Sequence, residues 1–344
     1  MTLAPGFTLV TGPNGGGKTN LLEAIGYAVT LSSFRGATGD AMVRVGAATA
    51  IVRAEGYQGE RRILVETELP RNGRPRVTVN RQPLRRVRDL LETGRVSVFS
   101  PDDLALIKGA PAGRRRYLDD GLVALHPRHE TLRRNFERVV RQRNRLLTQA
   151  AGRLSGTVAA TLDVWDAQMA DTGEALAAAR VTAVERIRPL VADAYRQLSG
   201  GEAPATLAYA PSWREAGLAA ALAATRTDDL RRATSLVGPH RDDLELAIAG
   251  MPARTHASQG EQRSLALALR LGLHHAVAEE AGESPILLLD DVFSELDARR
   301  SRALLDHLPP GQVLLTTAGG PPAGTSPQHV VEIDHGRLVE GLVA

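Results

Sequence analysis

Cysteine is absent from the 344 residues, which excludes disulfides, thiolate nucleophiles and cysteine-type zinc sites. Lysine is almost absent: only Lys18 and Lys108 occur, so nearly all of the 42 basic residues are arginine. A genomic compositional preference produces the same bias, and the net charge of +3 says little by itself. Arginine nevertheless forks onto phosphates better than lysine does, so a basic surface for nucleic acid is permitted. Aromatic residues make up 3% of the chain, too few to argue for a platform that stacks unpaired bases. Phosphate contacts to duplex DNA fit the composition better. No stretch approaches the roughly 20 uninterrupted apolar residues that cross a bilayer, and the first residues lack the charged start and apolar run of a secretory signal. A cytoplasmic protein with no membrane partner is expected.

What is present suffices for a large core: apolar residues make up 43% of a chain longer than the usual domain of roughly 100 to 150 residues. Apolar runs at Phe7–Thr11, Ile63–Leu69, Val77–Asn80 and Val96–Ser100 predict strands. From Arg114 to about Leu198 the period becomes helical. Val158, Leu162, Trp165, Met169, Thr172, Leu176, Ala179 and Ala183 step by three and four, a packing stripe that Pro189 is expected to kink or end. Gly200 to Pro211 reads as a turn-rich break. Strands are predicted again at Leu244–Ile248, Ile286–Asp290, Val313–Thr317 and Val330–Ile333, and helices over Ser258–Ala281 and Ser301–His307. The fold class is α/β, with a discontinuous lobe over residues 1–110 and 232–344 carrying an inserted, mainly helical lobe over 111–231.

Gly12-Pro13-Asn14-Gly15-Gly16-Gly17-Lys18-Thr19 fits G-x-x-x-x-G-K-[ST] between a predicted strand and a helix starting near Asn20, the context that a phosphate-binding loop requires. The glycines let backbone N–H groups approach phosphates, and the helix start favours negative charge. Gly12, Asn14, Gly15, Gly17, Lys18, Thr19 and Asn20 are the expected ATP contacts. Lys18 would reach the β and γ phosphates and Thr19 would ligate Mg²⁺. Ile286 to Leu289 is an apolar strand ending in Asp290-Asp291, where a phosphate-binding fold places its acids. Asp290 would hold the Mg²⁺ shell and Asp291 would be the general base that polarises water; Asp291 and Lys18 are the expected catalytic residues. The alternative is a pair of helix caps.

Ser294-Glu295-Leu296-Asp297 reads equally as the start of the next helix. Ser258 and Glu261 form an S-x-x-E capping box that needs no function. His240 with Asp242 suggests a metal or acid–base pair, or a turn held by Gly238, Pro239 and aspartate hydrogen bonds. Arg85, Arg86, Arg88, Arg114 to Arg116, Arg133, Arg134, Arg138, Arg141 and Arg145 form basic clusters, either solvated helix faces or phosphate contacts. No DNA-contacting residue can be singled out.

Taken together, a phosphate loop, then a Ser-x-Gly helix start, then an acidic strand end with a Ser-x-Leu-Asp tail resembles the ABC ATPase head. Within that superfamily the chain resembles the RecF family of recombination mediators. The resemblance rests on Gly12 to Ile25, on Ser100-Pro101-Asp102-Asp103-Leu104 with Arg114 to Asp119, on Gly238-Pro239-His240-Arg241-Asp242-Asp243-Leu244, on Ala257 to Glu261 and on Leu288 to Asp297. It implies a signature motif in which Ser258 and Gly260 touch the γ-phosphate held by a second copy, with Ser294 to Asp297 as the D-loop of the same dimer interface. It further implies an ATP-dependent homodimer that binds duplex, gapped or junction DNA in replication, recombinational repair and the SOS response. The implied partners are RecR, with RecO and RecA downstream.

Three departures, the first from related chains and the others from the ABC pattern, alter what is expected. Met1 lies eleven residues before Gly12, where related chains begin with a further strand and a Phe-Arg-Asn segment, so a shortened start is expected. No glutamine stands at the Q-loop position, and Thr316 and Thr317 stand where many ABC heads carry a switch histidine. Asp291 replaces a glutamate and is one methylene shorter, which implies slow hydrolysis. Two rivals remain: a transporter ATPase subunit, which would need no DNA, and a small-molecule P-loop kinase, which would need no nucleotide-dependent dimer.

Overall fold

The computed structural model describes every residue except 4, 202, 295, 320–323 and 340–344, and of residue 88 only the backbone. Glu295 and the Arg88 side chain, both named above, therefore lie outside the described residues. The chain divides into two compact units, one of Met1–Leu104, Asp193–Ala203 and Ser258–Ala344, the other of Ala105–Ala192 and Pro204–Ala257. These bounds differ from the expected lobes chiefly over 232–257, whose strands pair within the second unit.

In chain order the strands are β1 (Phe7–Thr11), β2 (Thr49–Gln58), β3 (Arg61–Pro70), β4 (Arg76–Val79), β5 (Gln82–Pro83), β6 (Val96–Phe99), β7 (Ala205–Ala208), β8 (Glu245–Ile248), β9 (Met251–Pro252), β10 (Ile286–Leu289), β11 (Val313–Thr316), β12 (His329–Asp334) and β13 (Arg337–Val339). The helices are α1 (Lys18–Thr30), α2 (Val87–Leu91), α3 (Leu104–Lys108), α4 (Pro111–Leu125), α5 (His129–Ala150), α6 (Gly156–Ser199), α7 (Leu218–Arg232), α8 (Ala253–His256), α9 (Gln259–Ala281) and α10 (Ala298–Asp306). The α/β class expected from the sequence is the class observed.

The first unit is built on a six-stranded sheet of order β13-β12-β1-β11-β10-β6, parallel except for the edge strand β13. Its central strands read as unbroken apolar runs, Ile286-Leu287-Leu288-Leu289 and Val313-Leu314-Leu315, because both faces of a parallel sheet are covered. Leu22 of α1 meets Leu288 and Leu314 in a fully buried cluster on one of those faces. A separate antiparallel sheet, β2-β3-β4-β5, completes the unit. β2 was not expected from the sequence. It is an edge strand whose pattern of apolar and exposed residues includes Arg53, Glu55 and Gly56, so its strand character rests on pairing with β3 along all ten residues.

The second unit joins α4, α5, α7 and most of α6 to the small sheet β7-β8-β9. β7 falls inside the stretch expected to be only a break. Pro189 does not end α6, which runs on to Ser199. A proline inside a helix forfeits a hydrogen bond and costs about 3 kcal/mol. Burial of Val184, Ile187, Val191, Ala194, Tyr195 and Leu198 on either side of it offsets that cost, at roughly 1.5 to 3 kcal/mol per large apolar side chain. No helix among the described residues is long and apolar enough to cross a membrane.

Candidate active site

The register of the six-stranded sheet brings the chemistry together. β11 lies between β1 and β10, with Val10 opposite Thr316 and Leu289 opposite Leu315. The carboxyl ends of the three strands therefore present the Gly12–Thr19 loop, Thr316 and the Asp290-Asp291 pair side by side, where ligands of open parallel sheets bind.

The loop's shape depends on Gly12. Its φ is 141°, and a Cβ there would sit 2.0 Å from the carbonyl oxygen of Ile333, so no side chain fits. Gly17, at φ 108°, leads into α1. The hairpin between β12 and β13 supports the loop from the other side: Gly336 N–H donates to the Gly16 oxygen at 2.7 Å. Lys18 is buried and its Nζ donates to the oxygens of Gly12 at 2.8 Å and Pro13 at 3.0 Å. The loop thus folds around its own ammonium.

Facing it is a cluster of hydroxyls and carboxylates. Thr19 Oγ1 donates to Asp290 Oδ1 at 2.9 Å, and Thr316 Oγ1 donates to the same oxygen at 2.8 Å. Asp291 N–H donates to Thr316 Oγ1 at 2.9 Å. Asp291 itself is left-handed, at φ 48°, and its Oδ2 accepts a hydrogen bond from Ser294 Oγ at 2.9 Å. The pocket enclosed is about 300 Å³, lined by Asn14, Gly15, Gly17, Lys18, Thr19, Asn20, Asp290 and Asp291 together with Arg35 and Thr316. Arg35 was not expected from the sequence. Its Nη1 lies 3.6 Å from Glu23 Oε2, and Glu23 also accepts from the Ser33 hydroxyl. The donor set suits a triphosphate with a hard divalent cation: two cationic side chains, a helix start, and oxygen ligands only.

Ser258, Gly260, Ser294 and Asp297 are not among the pocket's lining residues. Ser258 caps α9 in a complete capping box: its N–H donates to Glu261 Oε2 at 2.7 Å and its Oγ accepts from Glu261 N–H at 3.3 Å. Asp297 caps α10 through Arg300 N–H at 2.8 Å. The Arg300 guanidinium ties the two helix starts together, pairing with Asp297 and donating to Ser264 Oγ at 3.0 Å. It lies 3.0 Å from where a Gly260 Cβ would stand.

Of the two readings of His240 with Asp242, the turn is the one observed. Gly238 to Leu244 is a turn, with Arg241 N–H on the Gly238 oxygen at 2.8 Å. Asp242 accepts from Tyr209 Oη at 2.6 Å and Trp213 Nε1 at 2.8 Å, and the His240 ring contacts the Ser235 oxygen, not Asp242, at 3.1 Å. No group of three or more His, Asp or Glu residues that could hold a metal occurs among the described residues. Arg114 is buried in a bidentate pair with Asp243, both bonds at 2.7 Å, and is not available to DNA.

The RecF/RecN/SMC N-terminal domain model matches residues 1–317. The chain is 46% identical to the DNA replication and repair protein RecF of Streptomyces avermitilis, covering 92% of this chain and 88% of that protein. It is 42% identical to the RecF of Kineococcus radiotolerans, covering 99% and 95%. This chain belongs to the RecF family. Among solved structures, that of the recombination mediator protein RecF with ATP in the RecFOR pathway matches this RecF-family chain at a TM-score of 0.90 and 27% identity, covering 98% of this chain and 92% of that one. An Smc head domain with an extended coiled coil, from Pyrococcus furiosus, shares the fold at a TM-score of 0.54 and 17% identity. The fold is that of the ABC/SMC-type ATPase head.

Proposed function

We propose that this chain binds and slowly hydrolyses ATP, closes into a homodimer when ATP is bound, and acts on DNA in recombinational repair. The observation that carries the reading is the Thr19–Asp290–Thr316 cluster facing a phosphate loop whose only ammonium is Lys18. In it, Lys18 exchanges its bonds to loop carbonyls for the β and γ phosphate oxygens, and Arg35 offers a second cation. Thr19 and Asp290 would hold Mg²⁺, whose chemistry there is charge neutralisation on those oxygens. Asp291 orients the attacking water and takes its proton; with one methylene fewer than glutamate it works slowly.

The first unit supplies this chemistry and the second is the inserted, mainly helical lobe. Ser258 and Gly260 stand apart from their own chain's pocket, so a role on the γ-phosphate requires a second copy. Ser294 and Asp297 join them at that interface. Phosphate charge buried between two subunits is favourable only when donors from both sides meet it, which makes the dimer conditional on ATP. The relatives' name, DNA replication and repair protein, supports DNA as the partner, and the RecFOR pathway named for the solved neighbour supports RecR and RecO; RecA downstream is part of the same proposal.

Light scattering with and without ATP, paired with an ATP-binding titration, tests the reading. The parental chain should dimerise only with ATP. Ser258→Arg should bind ATP within about threefold of the parent yet stay monomeric, whereas Lys18→Met should lose both properties. Normal ATP-dependent dimers of Ser258→Arg would return Ser258 to the role of a helix cap.

A further inference from the structure

Thr316 is fully buried at the carboxyl end of β11, between the phosphate loop and the acidic pair. A hydroxyl carries one proton and two lone pairs. Here the proton goes to Asp290 Oδ1 at 2.8 Å and one lone pair accepts the Asp291 N–H at 2.9 Å. The same Oδ1 also takes the Thr19 proton, so Asp290 is turned by two hydroxyls and its Oδ2 has no hydrogen-bond partner among the described residues. The bond to Asp291 N–H falls on a residue whose backbone is left-handed, a conformation that costs a non-glycine residue roughly 1 kcal/mol or more and persists only where surroundings impose it.

We propose that Thr316 is a positioning residue that sets both carboxylates at once: it aims Asp290 by holding Oδ1 and pins the strained backbone that presents Asp291. Its single proton is spent on Asp290, so it has none to give a phosphate oxygen. The position that carries a switch histidine in many ABC heads therefore organises the acids here instead of contacting the γ-phosphate. This inference rests on the pocket being an ATPase site.

The test uses the full chain with Thr316→Val, which keeps the shape and removes the hydroxyl, and Thr316→Ser, which keeps the hydroxyl. Thr316→Val should lower kcat about 10- to 100-fold with KM for ATP changed less than about threefold, as expected when proper placement of a catalytic group is lost. The Mg²⁺ concentration needed for half-maximal tightening of a fluorescent, non-hydrolysable ATP analogue should rise about tenfold, while analogue binding without Mg²⁺ stays at the parental level. Thr316→Ser should restore both readouts to within about threefold. Should the valine variant fail to fold, Thr316→Ala carries the same expectations. Parental kcat and Mg²⁺ requirement in the hydroxyl-free variant would overturn the inference while leaving the ATPase reading intact. A parental chain that neither binds nor hydrolyses ATP would sink both.

Discussion

Asp291 carries the sharpest prediction at the scale of single residues. Its left-handed backbone, φ 48°, is one that asparagine adopts at least as readily as aspartate, so Asp291→Asn should not lower the unfolding temperature. Binding of ATP with Mg²⁺ should persist, since Thr19 and Asp290 are untouched, but hydrolysis should fall about 100-fold or more through loss of the base. A phosphate-release assay beside a thermal melt checks it; parental turnover would make Asp291 structural. The phosphate loop was legible in the sequence because its residues are contiguous and its glycines have no cheaper explanation. Arg35 was not legible as a pocket residue, because it reaches the site from a loop outside every motif, and Thr316 was legible only as the residue at a switch-histidine position, because nothing local reveals its bonds to Asp290 and Asp291. Arg114 was misplaced among the basic clusters for the same reason. Its partner Asp243 is 129 residues away, and no local pattern reveals a buried pair of that separation.

At the scale of elements, α9 combines a surface device with a buried liability. Its capping box was readable from Ser258 and Glu261, and the structure realises it in full. His274, in the middle of the helix, is 1% exposed and neither ring nitrogen has a hydrogen-bond partner. Burial, with a smaller contribution from His275, holds its imidazole down at about 4, against 6.5 for a free histidine. The folded protein therefore refuses a proton that the unfolded chain accepts. Stability is complete above about pH 6.5 and is lost as pH falls toward 4, by about 3 kcal/mol from this group at the acid end. Urea unfolding at about pH 7.5 and about pH 5 should show His274→Leu losing about 2 kcal/mol less than the parent over that interval. Equal losses would assign the acid sensitivity elsewhere, His240 being the other imidazole that desolvation holds at about 4. Helices and central strands were legible here because their periodicity reports burial directly. β2 and the continuation of α6 through Pro189 were not, because long-range pairing and packing overrode the local signal.

Across the whole molecule, charge and connectivity set what remains to be tested. Of the basic residues on α5, Arg133 and Arg134 hold Glu130 and Arg141 lies 3.6 Å from Glu137, while Arg138 and Arg145 are exposed and make no ion pair among the described residues. Binding that relies on such arginines follows phosphate charge, not base identity. Duplex affinity should therefore drop by about an order of magnitude or more between about 50 and 200 mM salt, with little dependence on sequence. Fluorescence anisotropy with two unrelated duplexes reads this, and salt-insensitive binding would contradict it. The contact between Gly336 and Gly16 has a consequence during synthesis. β1 lies between β11 and β12, so both sheet neighbours of the strand leading into the phosphate loop are translated after residue 312. At roughly 5 to 20 residues per second, a growing chain carries its nucleotide motif for about 15 to 60 s before the strands that shape it emerge. Through that interval the ribosome holds a sequence that names an ATP site and a polypeptide that does not yet have one. A ribosome stalled near residue 300 should consequently display a nascent chain that includes Lys18 and has no capacity to retain ATP.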